Sequence, residues 1–381
     1  GEPLESPPPS KTSVPAPPAF VEEWVKTMRE KDAPGKRTLR MYMLDNEPAL
    51  WNSTHRDVHP QPVTFDEIWQ RTQDYARAVR SADPQARIAG FSSWGWTSLF
   101  DSATEASTPN GPGRVVRSDR ASHGGTALFP WWLSKLRELE RTTGERLVDA
   151  VDVHFYPQGA GIGLGLTGDT DLDTSMRRIR SVRGLWDPTY VDESWIGEAQ
   201  RLVPRLRDWI DDGEPGLGIV IGEWNFGAET HISGGLAAAE ALGRFGLLGV
   251  EGAFHFPTPV ENGFVYWAFR AFRNYDGKGG RFGDQVVTVN GGERNDSSVF
   301  ASRTPEGKIV LVALNHDPRR PLQLSVDARS CGVSGSPAVW SLADSKGLPA
   351  APEDVKRDWL ELAPWTVNVV EYAPAAKKVG P

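Results

Sequence analysis

Two glutamates, each at the end of an apolar run and beside aromatic residues, carry the strongest chemical signal in this sequence. Glu47 stands in MLDNEPALW and Glu223 in LGIVIGEWNFG. Short apolar runs are typical of buried strands in a parallel sheet, and Pro48 ends the first because it has no N–H for a ladder. Barrel enzymes place catalytic carboxylates at the C-terminal ends of parallel strands. Asp45 and Glu47 could instead cap a loop or a helix, but a second strand that ends in a glutamate favours chemistry.

A histidine-rich run lies just downstream of the first glutamate. His55, Asp57 and His59 form an H-x-D-x-H pattern that could suggest a metal site. Alternate residues point the same way only on a strand, and the prolines that follow predict a loop here. We therefore expect no catalytic metal and no cofactor, and we interpret His55 as a partner of the strand that carries Glu47. A structural Ca²⁺ ion in a carboxylate-rich loop stays open, although no EF-hand spacing indicates one.

Length, charge and cysteine count limit the class of protein. A chain of 381 residues can bury a core for one large domain, or for a large and a small one. A net charge of −8 and the lack of a Lys/Arg run argue against nucleic-acid binding. Cys331 is the only cysteine, which excludes an intramolecular disulfide. No apolar run approaches the ~18–20 residues that cross a bilayer, so we expect no membrane partner. The sequence begins at Gly1 without a signal-like segment, which indicates a mature form or a fragment.

The elements that must hold the two glutamates alternate between strand and helix from about residue 38 to residue 274. Five apolar runs predict strands that end near residues 44, 93, 156, 224 and 256. Such alternation predicts an α/β fold with a parallel sheet and crossover helices. From residue 286 onward short β-rich runs alternate with turns, which predicts a small antiparallel β domain. The predicted division is a Pro-rich linker or loop at 1–18, a barrel region at 19–284, a β-sandwich domain at 285–376 and a tail at 377–381.

Apolar residues at helical spacing predict the helices. The predicted spans are 19–31, 64–82, 131–141, 174–184, 193–210, 236–248 and 264–273. Thr64 and Glu67 form a capping box at the start of the second span. The Gly/Ser/Thr-rich segment 102–125 predicts an irregular stretch. The Gly-rich segment 159–168 predicts a flexible loop rather than a phosphate loop, because no strand and helix frame it.

Five segments together resemble glycoside hydrolase family 44, which comprises endoglucanases and xyloglucanases built on a (β/α)8 barrel. The segments are LDNEPALWNSTHRDVHP (44–60), AVDVHFYPQ (150–158), GLWDPTYVDESWIG (184–197), GEWNFG (222–227) and FRNYDGKGGRFGD (272–284). The resemblance extends from about residue 18 to the end and implies a TIM-type (β/α)8 barrel followed by a C-terminal antiparallel β-sandwich. It implies that only barrel strands four to eight are present, because three earlier strands would take on the order of a hundred residues before residue 38.

The same resemblance implies roles for the residues at the strand ends. Glu47 would be the acid/base on strand four, Glu223 the nucleophile on strand seven, and Asn46 a hydrogen-bond partner of the sugar 2-hydroxyl. A retaining mechanism needs two carboxyls only ~5–5.5 Å apart, one neutral to protonate the leaving oxygen and one ionised to attack. We expect His154 and Tyr156 beside the nucleophile. His154 could instead be a structural histidine, and Tyr156 could be an ordinary aromatic residue of the core.

Aromatic rings could supply platforms on which sugars stack, and the chain has 15 tryptophans. The candidates lie at or just past strand ends or in the aromatic segment 185–195: Trp51, Trp94, Trp96, Trp195 and Trp224. Phe256 ends the last predicted strand, where the resemblance implies that related enzymes often carry a tryptophan. Each of these tryptophans could instead belong to the core.

The leading hypothesis is a retaining endo-β-1,4-glucanase that acts on soluble cellulose, xyloglucan or mixed-linkage glucan. Another member of the same clan, such as a mannanase or a xylanase, is the alternative among enzymes. A non-catalytic β-glucan-binding protein, or an inactive truncated barrel, is the alternative outside them. We expect a β-glucan as the partner, a monomer in solution and secretion, the last on the ground of the substrate class.

Overall fold

The computed structural model describes residues 7–33, 36–106, 118–291, 294–343, 346–349, 351–355 and 359–375. The predicted tail 377–381, the first residues of the predicted linker and the middle of the segment 102–125 lie outside these ranges. Internal contacts divide the chain into two compact units. Unit 1 comprises residues 1–155, 203–224 and 250–254, and unit 2 comprises residues 156–202, 225–249 and 255–381. These units are defined by internal contacts, and each comprises several separate stretches of the chain. The division into consecutive domains at residues 18, 284 and 376 stays a prediction.

A parallel sheet is the framework of unit 1. Its strands are β1 (Met41–Met43), β2 (Arg87–Ala89), β3 (Ala150–Phe155), β4 (Gly218–Trp224) and β5 (Gly252–His255), the last residue of β5 belonging to unit 2. The strands lie in the order β1-β2-β3-β4-β5, and β1 pairs with β2, β2 with β3 and β3 with β4 in parallel. Each crossover therefore advances by one strand, as in a (β/α)8 barrel and unlike a doubly wound sheet. All five strands occur where the apolar runs predict them.

The helices agree with most of the predicted spans. They are α1 (Pro18–Glu30), α2 (Trp51–Thr54), α3 (Phe65–Ala82), α4 (Ala103–Ala106), α5 (Ser118–Ser122), α6 (Leu128–Thr143), α7 (Leu172–Ser181), α8 (Leu202–Asp212), α9 (Ile232–Leu247) and α10 (Phe264–Arg273). Short 3-10 helices span Pro9–Lys11, Pro48–Leu50, Thr97–Leu99, Val182–Leu185 and Arg329–Cys331. In α3 the predicted cap is present, since Thr64 accepts a hydrogen bond from the Glu67 N–H at 3.2 Å. No helix in the described ranges is both long and apolar enough to cross a membrane.

The helix predicted at 193–210 is wrong in its first half, because α8 begins only at Leu202. The preceding segment forms local side-chain hydrogen bonds instead. Asp192 Oδ1 accepts from the Ser194 N–H at 2.9 Å, and Asp192 Oδ2 accepts from Gln200 Nε2 at 2.8 Å. Hydrogen bonds of this kind compete with helix formation. Trp195 therefore lies in a loop.

The Gly-rich segment 159–168 has fixed hydrogen bonds, although the sequence predicts flexibility. The guanidinium of Arg178 is fully buried in unit 2 and donates to the carbonyl oxygens of Ile162 at 3.1 Å and Asp169 at 2.9 Å. It also donates to the carbonyl of Phe226 at 2.9 Å. A buried cation must be hydrogen-bonded to be tolerated, so the loop and the arginine stabilise each other.

Antiparallel sheets complete unit 2 and confirm the predicted β domain. Their strands are β6 (Gln285–Val286), β7 (Ser297–Arg303), β8 (Ile309–Asn315), β9 (Leu322–Leu324), β10 (Ala338–Leu342), β11 (Glu353–Asp354), β12 (Leu360–Leu362) and β13 (Thr366–Tyr372). One sheet has the order β11-β10-β13-β8-β7-β6, and β12 pairs with β9 in a second. Ile309, Leu311, Val339, Leu362 and Val370 belong to one buried apolar cluster of this domain. Cys331 is a free thiol.

Candidate active site

The loop after β1 holds Glu47 in an unusual backbone conformation. Asp45 and Glu47 have positive φ angles of 65° and 46°, a region that costs a non-glycine residue of the order of 1 kcal/mol or more. Hydrogen bonds to neighbouring segments help to hold this turn. The Glu47 N–H donates to the carbonyl of Ser92 at 3.1 Å, and Trp51 Nε1 donates to the carbonyl of Asn46 at 2.9 Å. The turn that carries Glu47 is thus tied to the segment after β2 and to the start of α2.

The neighbouring strands β3 and β4 carry His154 and Glu223. These two residues are register partners, and the ladder shifts between Val153 and His154. Gly222 precedes the glutamate, and a Cβ atom added there would lie 2.4 Å from Oδ1 of Asp152. Only glycine therefore fits at that position of β4 without displacing the Asp152 carboxyl.

The two glutamates and the histidine converge at one point of unit 1. His154 Nδ1 lies 2.8 Å from Glu47 Oε1 and 3.5 Å from Glu223 Oε2. One carboxylate oxygen of each glutamate and this nitrogen all lie within 4.8 Å of one another. The glutamate side chains are 21% and 23% exposed and the imidazole is 2% exposed. The carboxylates are therefore accessible, and their separation suits a retaining pair, since inverting pairs stand ~6.5–9.5 Å apart.

The same three groups could also hold a metal ion by ligand type. Two carboxylate oxygens and an imidazole nitrogen are donors that Zn²⁺ and similar ions accept. The H-x-D-x-H run does not form such a group, because its side chains contact different partners. His59 Nε2 contacts Glu67 Oε1 at 2.8 Å, and Asp57 accepts from the hydroxyl of Thr12 at 2.8 Å.

Asp152 is a further carboxyl of this region, and the sequence-based prediction missed it. It lies fully buried on β3 and accepts a hydrogen bond from the Ser92 hydroxyl. Burial raises the pKa of Asp152, and the Ser92 hydroxyl, the charge of His154 and the Gly222 backbone amide partly offset this rise. A charged residue inside AVDVHFY, a strand predicted to be buried, is the signal that could have found it.

His55 and Trp51 line one hollow in unit 1. The hollow has a volume of about 430 Å³ and is bordered by Asp45 as well. His55 is exposed, and its Nδ1 contacts the hydroxyl of Thr54 at 2.9 Å. The interpretation of His55 as a partner of the strand that carries Glu47 is therefore not supported, and its contact with substrate stays a prediction.

The other candidate tryptophans of unit 1 differ in how much ring surface they expose. Trp224 is fully buried, so the expectation that it stacks on a sugar is wrong. Trp94 and Trp96 are partly exposed. The Trp96 ring contacts the guanidinium of Arg205 at 5.0 Å and the ring of Phe100 at 4.9 Å. Trp94 and Trp96 stay candidates, with part of the Trp96 ring already covered by protein.

The candidates in unit 2 are largely accessible. Trp195 is 60% exposed, and its Nε1 donates to Gln158 Oε1 at 3.4 Å. Phe256 is 53% exposed, and its carbonyl accepts from Nδ2 of the buried Asn225 at 2.7 Å. Tyr156 is half-buried. Trp195 and Phe256 therefore present free ring surface, as a stacking platform requires.

Comparisons with known proteins identify the family of this chain. The model of glycoside hydrolase family 44 matches residues 3–159. A solved xyloglucanase of that family from Paenibacillus polymyxa is 30% identical and superposes with a TM-score of 0.79 over 93% of this chain and 70% of its own. The chain belongs to glycoside hydrolase family 44. This confirms the predicted family and, with it, the partial (β/α)8 barrel followed by an antiparallel β domain.

Other relatives of this family 44 chain are similar over comparable lengths. The structure of CelM2, a bifunctional glucanase-xylanase from a metagenome library, is 33% identical and has a TM-score of 0.86 over 94% of this chain and 69% of its own. Endoglucanase A of Paenibacillus lautus is 33% identical over 310 residues, which are 79% of this chain and 43% of the relative. The chain thus spans less than half the length of that curated relative.

Proposed function

We propose that this family 44 chain is a retaining, endo-acting glycoside hydrolase that cleaves β-1,4-glucan backbones by double displacement. The observation that carries the proposal is the convergence of Glu47 and Glu223 on His154, within 4.8 Å. Soluble cellulose, xyloglucan and mixed-linkage glucan are the proposed substrates. Their support is the activity named for the relatives, an endoglucanase and a xyloglucanase.

In the proposed reaction Glu223 attacks the anomeric carbon while Glu47 gives its proton to the leaving glycosidic oxygen. A covalent glycosyl-enzyme forms and the C–O bond to the leaving sugar breaks. Glu47, now a carboxylate, then takes a proton from water, which attacks the same carbon and releases Glu223. His154 orients the Glu47 carboxyl through the 2.8 Å contact, and Asn46 binds the 2-hydroxyl of the sugar.

The test is reducing-sugar release from xyloglucan and carboxymethylcellulose by the chain and by Glu47→Gln and Glu223→Gln. Each substitution removes a charge or a transferable proton at nearly constant volume, and we expect a loss of at least about 10²-fold. Glu251→Gln is the control. Glu251 is paired with Arg87 at 2.6 Å and lies just before the first residue of β5, whereas Glu47 and Glu223 lie at the C-terminal ends of their strands. An unchanged rate in either Glu47→Gln or Glu223→Gln would refute the assignment.

The proposal includes no metal and no other cofactor in the reaction. Glu47, His154 and Glu223 could bind a metal, so the expectation needs its own measurement. Activity should persist after dialysis against EDTA and should not rise with added Zn²⁺, Mn²⁺ or Ca²⁺. Loss on chelation and recovery with one ion would contradict a mechanism that needs only two carboxyls.

A substrate panel separates this proposal from its alternatives. Xylan belongs in the panel because CelM2 is described as a glucanase-xylanase. Mannan belongs in it because a mannanase is the other alternative among enzymes. Binding of xyloglucan without product release would favour a non-catalytic β-glucan-binding protein. We also propose a monomer and an extracellular location, the latter from the substrate class; size-exclusion chromatography with light scattering tests the former.

A further inference from the structure

Asp152 contacts the elements that carry both proposed catalytic glutamates. Its side chain is fully buried and accepts a hydrogen bond from the Ser92 hydroxyl. The carboxyl also lies against Gly222 so closely that a Cβ atom there would be 2.4 Å from Oδ1. The Asp152 carbonyl accepts from the Ser93 N–H at 3.2 Å. One residue of β3 is thus packed against the ends of both neighbouring strands.

Each residue of the candidate site is one step from these contacts. The carbonyl of Ser92 accepts the Glu47 N–H at 3.1 Å, which is part of what holds the left-handed turn. Gly222 precedes Glu223 directly. The carbonyl of the residue after Ser92 accepts the His154 N–H at 2.7 Å. A displacement of Asp152 would therefore be transmitted to all three side chains of the candidate site.

A carboxyl at this place is costly for stability, which argues for a role beyond packing. Burial of a polar group costs free energy unless hydrogen bonds replace those to water. An apolar side chain would fill the same volume without this cost, but it could not accept a hydrogen bond from the Ser92 hydroxyl.

We propose that Asp152 is a positioning residue for the hydrolysis proposed above, fixing Glu47 through Ser92 and Glu223 through Gly222. The inference rests on that proposed function, and it predicts an effect on the chemical step rather than on substrate binding. In Asp152→Ala we expect kcat to fall by about 10- to 100-fold and KM to change less than about threefold, because a displacement of 1 Å can cost that much. Asp152→Asn keeps the volume and one acceptor for Ser92, so it should recover much of the lost kcat.

A double-mutant cycle tests the route through Ser92. If Asp152 acts on Glu47 through the Ser92 hydroxyl, then Ser92→Ala should lower kcat too, and the double variant Asp152→Ala/Ser92→Ala should lose less than the product of the single losses. Asp83→Ala is the matched control. Asp83 is also a buried aspartate of unit 1, 3% exposed, and accepts from Arg37 at 2.6 Å after the end of α3. It should lower stability without a selective loss of kcat.

The imidazole ¹⁵N resonances give a readout that does not depend on activity. His154→Asn assigns the His154 signal among the 7 histidines, and we expect Asp152→Ala and Ser92→Ala to shift it while Asp83→Ala leaves it in place. An inactive parent would refute the proposed hydrolysis, and the His154 signal would still test the positioning role. The role is overturned if folded Asp152→Ala keeps its kcat and its His154 signal, or if Asp83→Ala changes both equally. Should Asp152→Ala not fold, Asp152→Asn and Ser92→Ala carry the same test.

Discussion

Replacement of His154 by alanine should make the stability of the protein more sensitive to pH. His154 Nδ1 contacts Glu47 Oε1 at 2.8 Å and Glu223 Oε2 at 3.5 Å, and the imidazole is 2% exposed. The ring therefore hydrogen-bonds the Glu47 carboxylate and lies beside that of Glu223, and one oxygen of each carboxylate lies within 4.8 Å of the other. Without the ring, Glu47 loses the donor at 2.8 Å and both glutamates lose the imidazole beside them.

The size of the effect follows from this separation. Two unit charges at most 4.8 Å apart repel by at least about 3.5 kcal/mol at an effective dielectric constant of 20, and by at least about 0.9 kcal/mol at the value for water. The repulsion destabilises the folded state only while both carboxylates are ionised. The unfolded chain lacks this repulsion at any pH. The loss of stability in His154→Ala should therefore grow by about 1–3 kcal/mol between pH 4 and pH 8.

Urea unfolding of the parent and of His154→Ala at several pH values measures this difference. The cavity left by the ring contributes a loss that does not depend on pH. The variant also removes an ionisable imidazole beside a carboxylate, so only the change with pH beyond that of a second histidine variant is assigned to the repulsion. His59→Ala is the control, because His59 contacts a single carboxylate, that of Glu67, at 2.8 Å. A His154→Ala curve parallel to that of the parent between pH 4 and pH 8 would refute the reasoning. The same variant should also lower kcat, because Glu47 loses its orienting contact.

Two further predictions concern stability alone. Burial, and next to it Glu140, raises the pKa of Glu214 to about 7 from an ordinary value near 4.5, so the folded state keeps a proton that the unfolded chain releases. The free energy of unfolding should then fall as the pH rises from about 4.5 to 7, by at most about 3 kcal/mol. In urea unfolding, Glu214→Gln should remove this slope and be more stable than the parent at pH 8 but not at pH 4. A parent whose stability does not fall over this range would contradict the prediction. Thr64→Ala should cost about 1 kcal/mol of unfolding free energy by removing the α3 cap, and Thr64→Ser should restore it; equal stability of all three proteins would show that the cap contributes nothing.

The sequence was sufficient to predict the strands of the parallel sheet and the positions of the two glutamates, because local patterns determine both. Apolar runs gave all five strands, and the run that ends in each glutamate placed the carboxylates at the C-terminal ends of β1 and β4. Convergence followed from a general property of parallel sheets, whose carboxyl ends lie along one edge. The capping box of Thr64 was equally local.

Other features depended on side-chain contacts that no local pattern shows. The loop around Trp195 replaced a predicted helix because Asp192 bonds to residues on both sides of that tryptophan. The contacts of Asp152 could not be predicted from its own strand, because they involve Ser92 and Gly222 near the ends of the two neighbouring strands. Trp224 could have been predicted correctly, since successive residues of a strand point to opposite faces. If Glu223 faces the accessible side, its neighbour must face the core.

The contacts that place the two proposed catalytic glutamates come from β1 to β4 and their adjoining turns. Glu47 is held by Ser92 after β2, and Trp51 at the start of α2 donates to Asn46 in the same turn. Glu223 is held by its place in the β3–β4 ladder beside His154. None of these contacts requires a strand before β1. A partial barrel can therefore keep two carboxylates at a retaining separation, because adjacent parallel strands already fix their ends relative to one another.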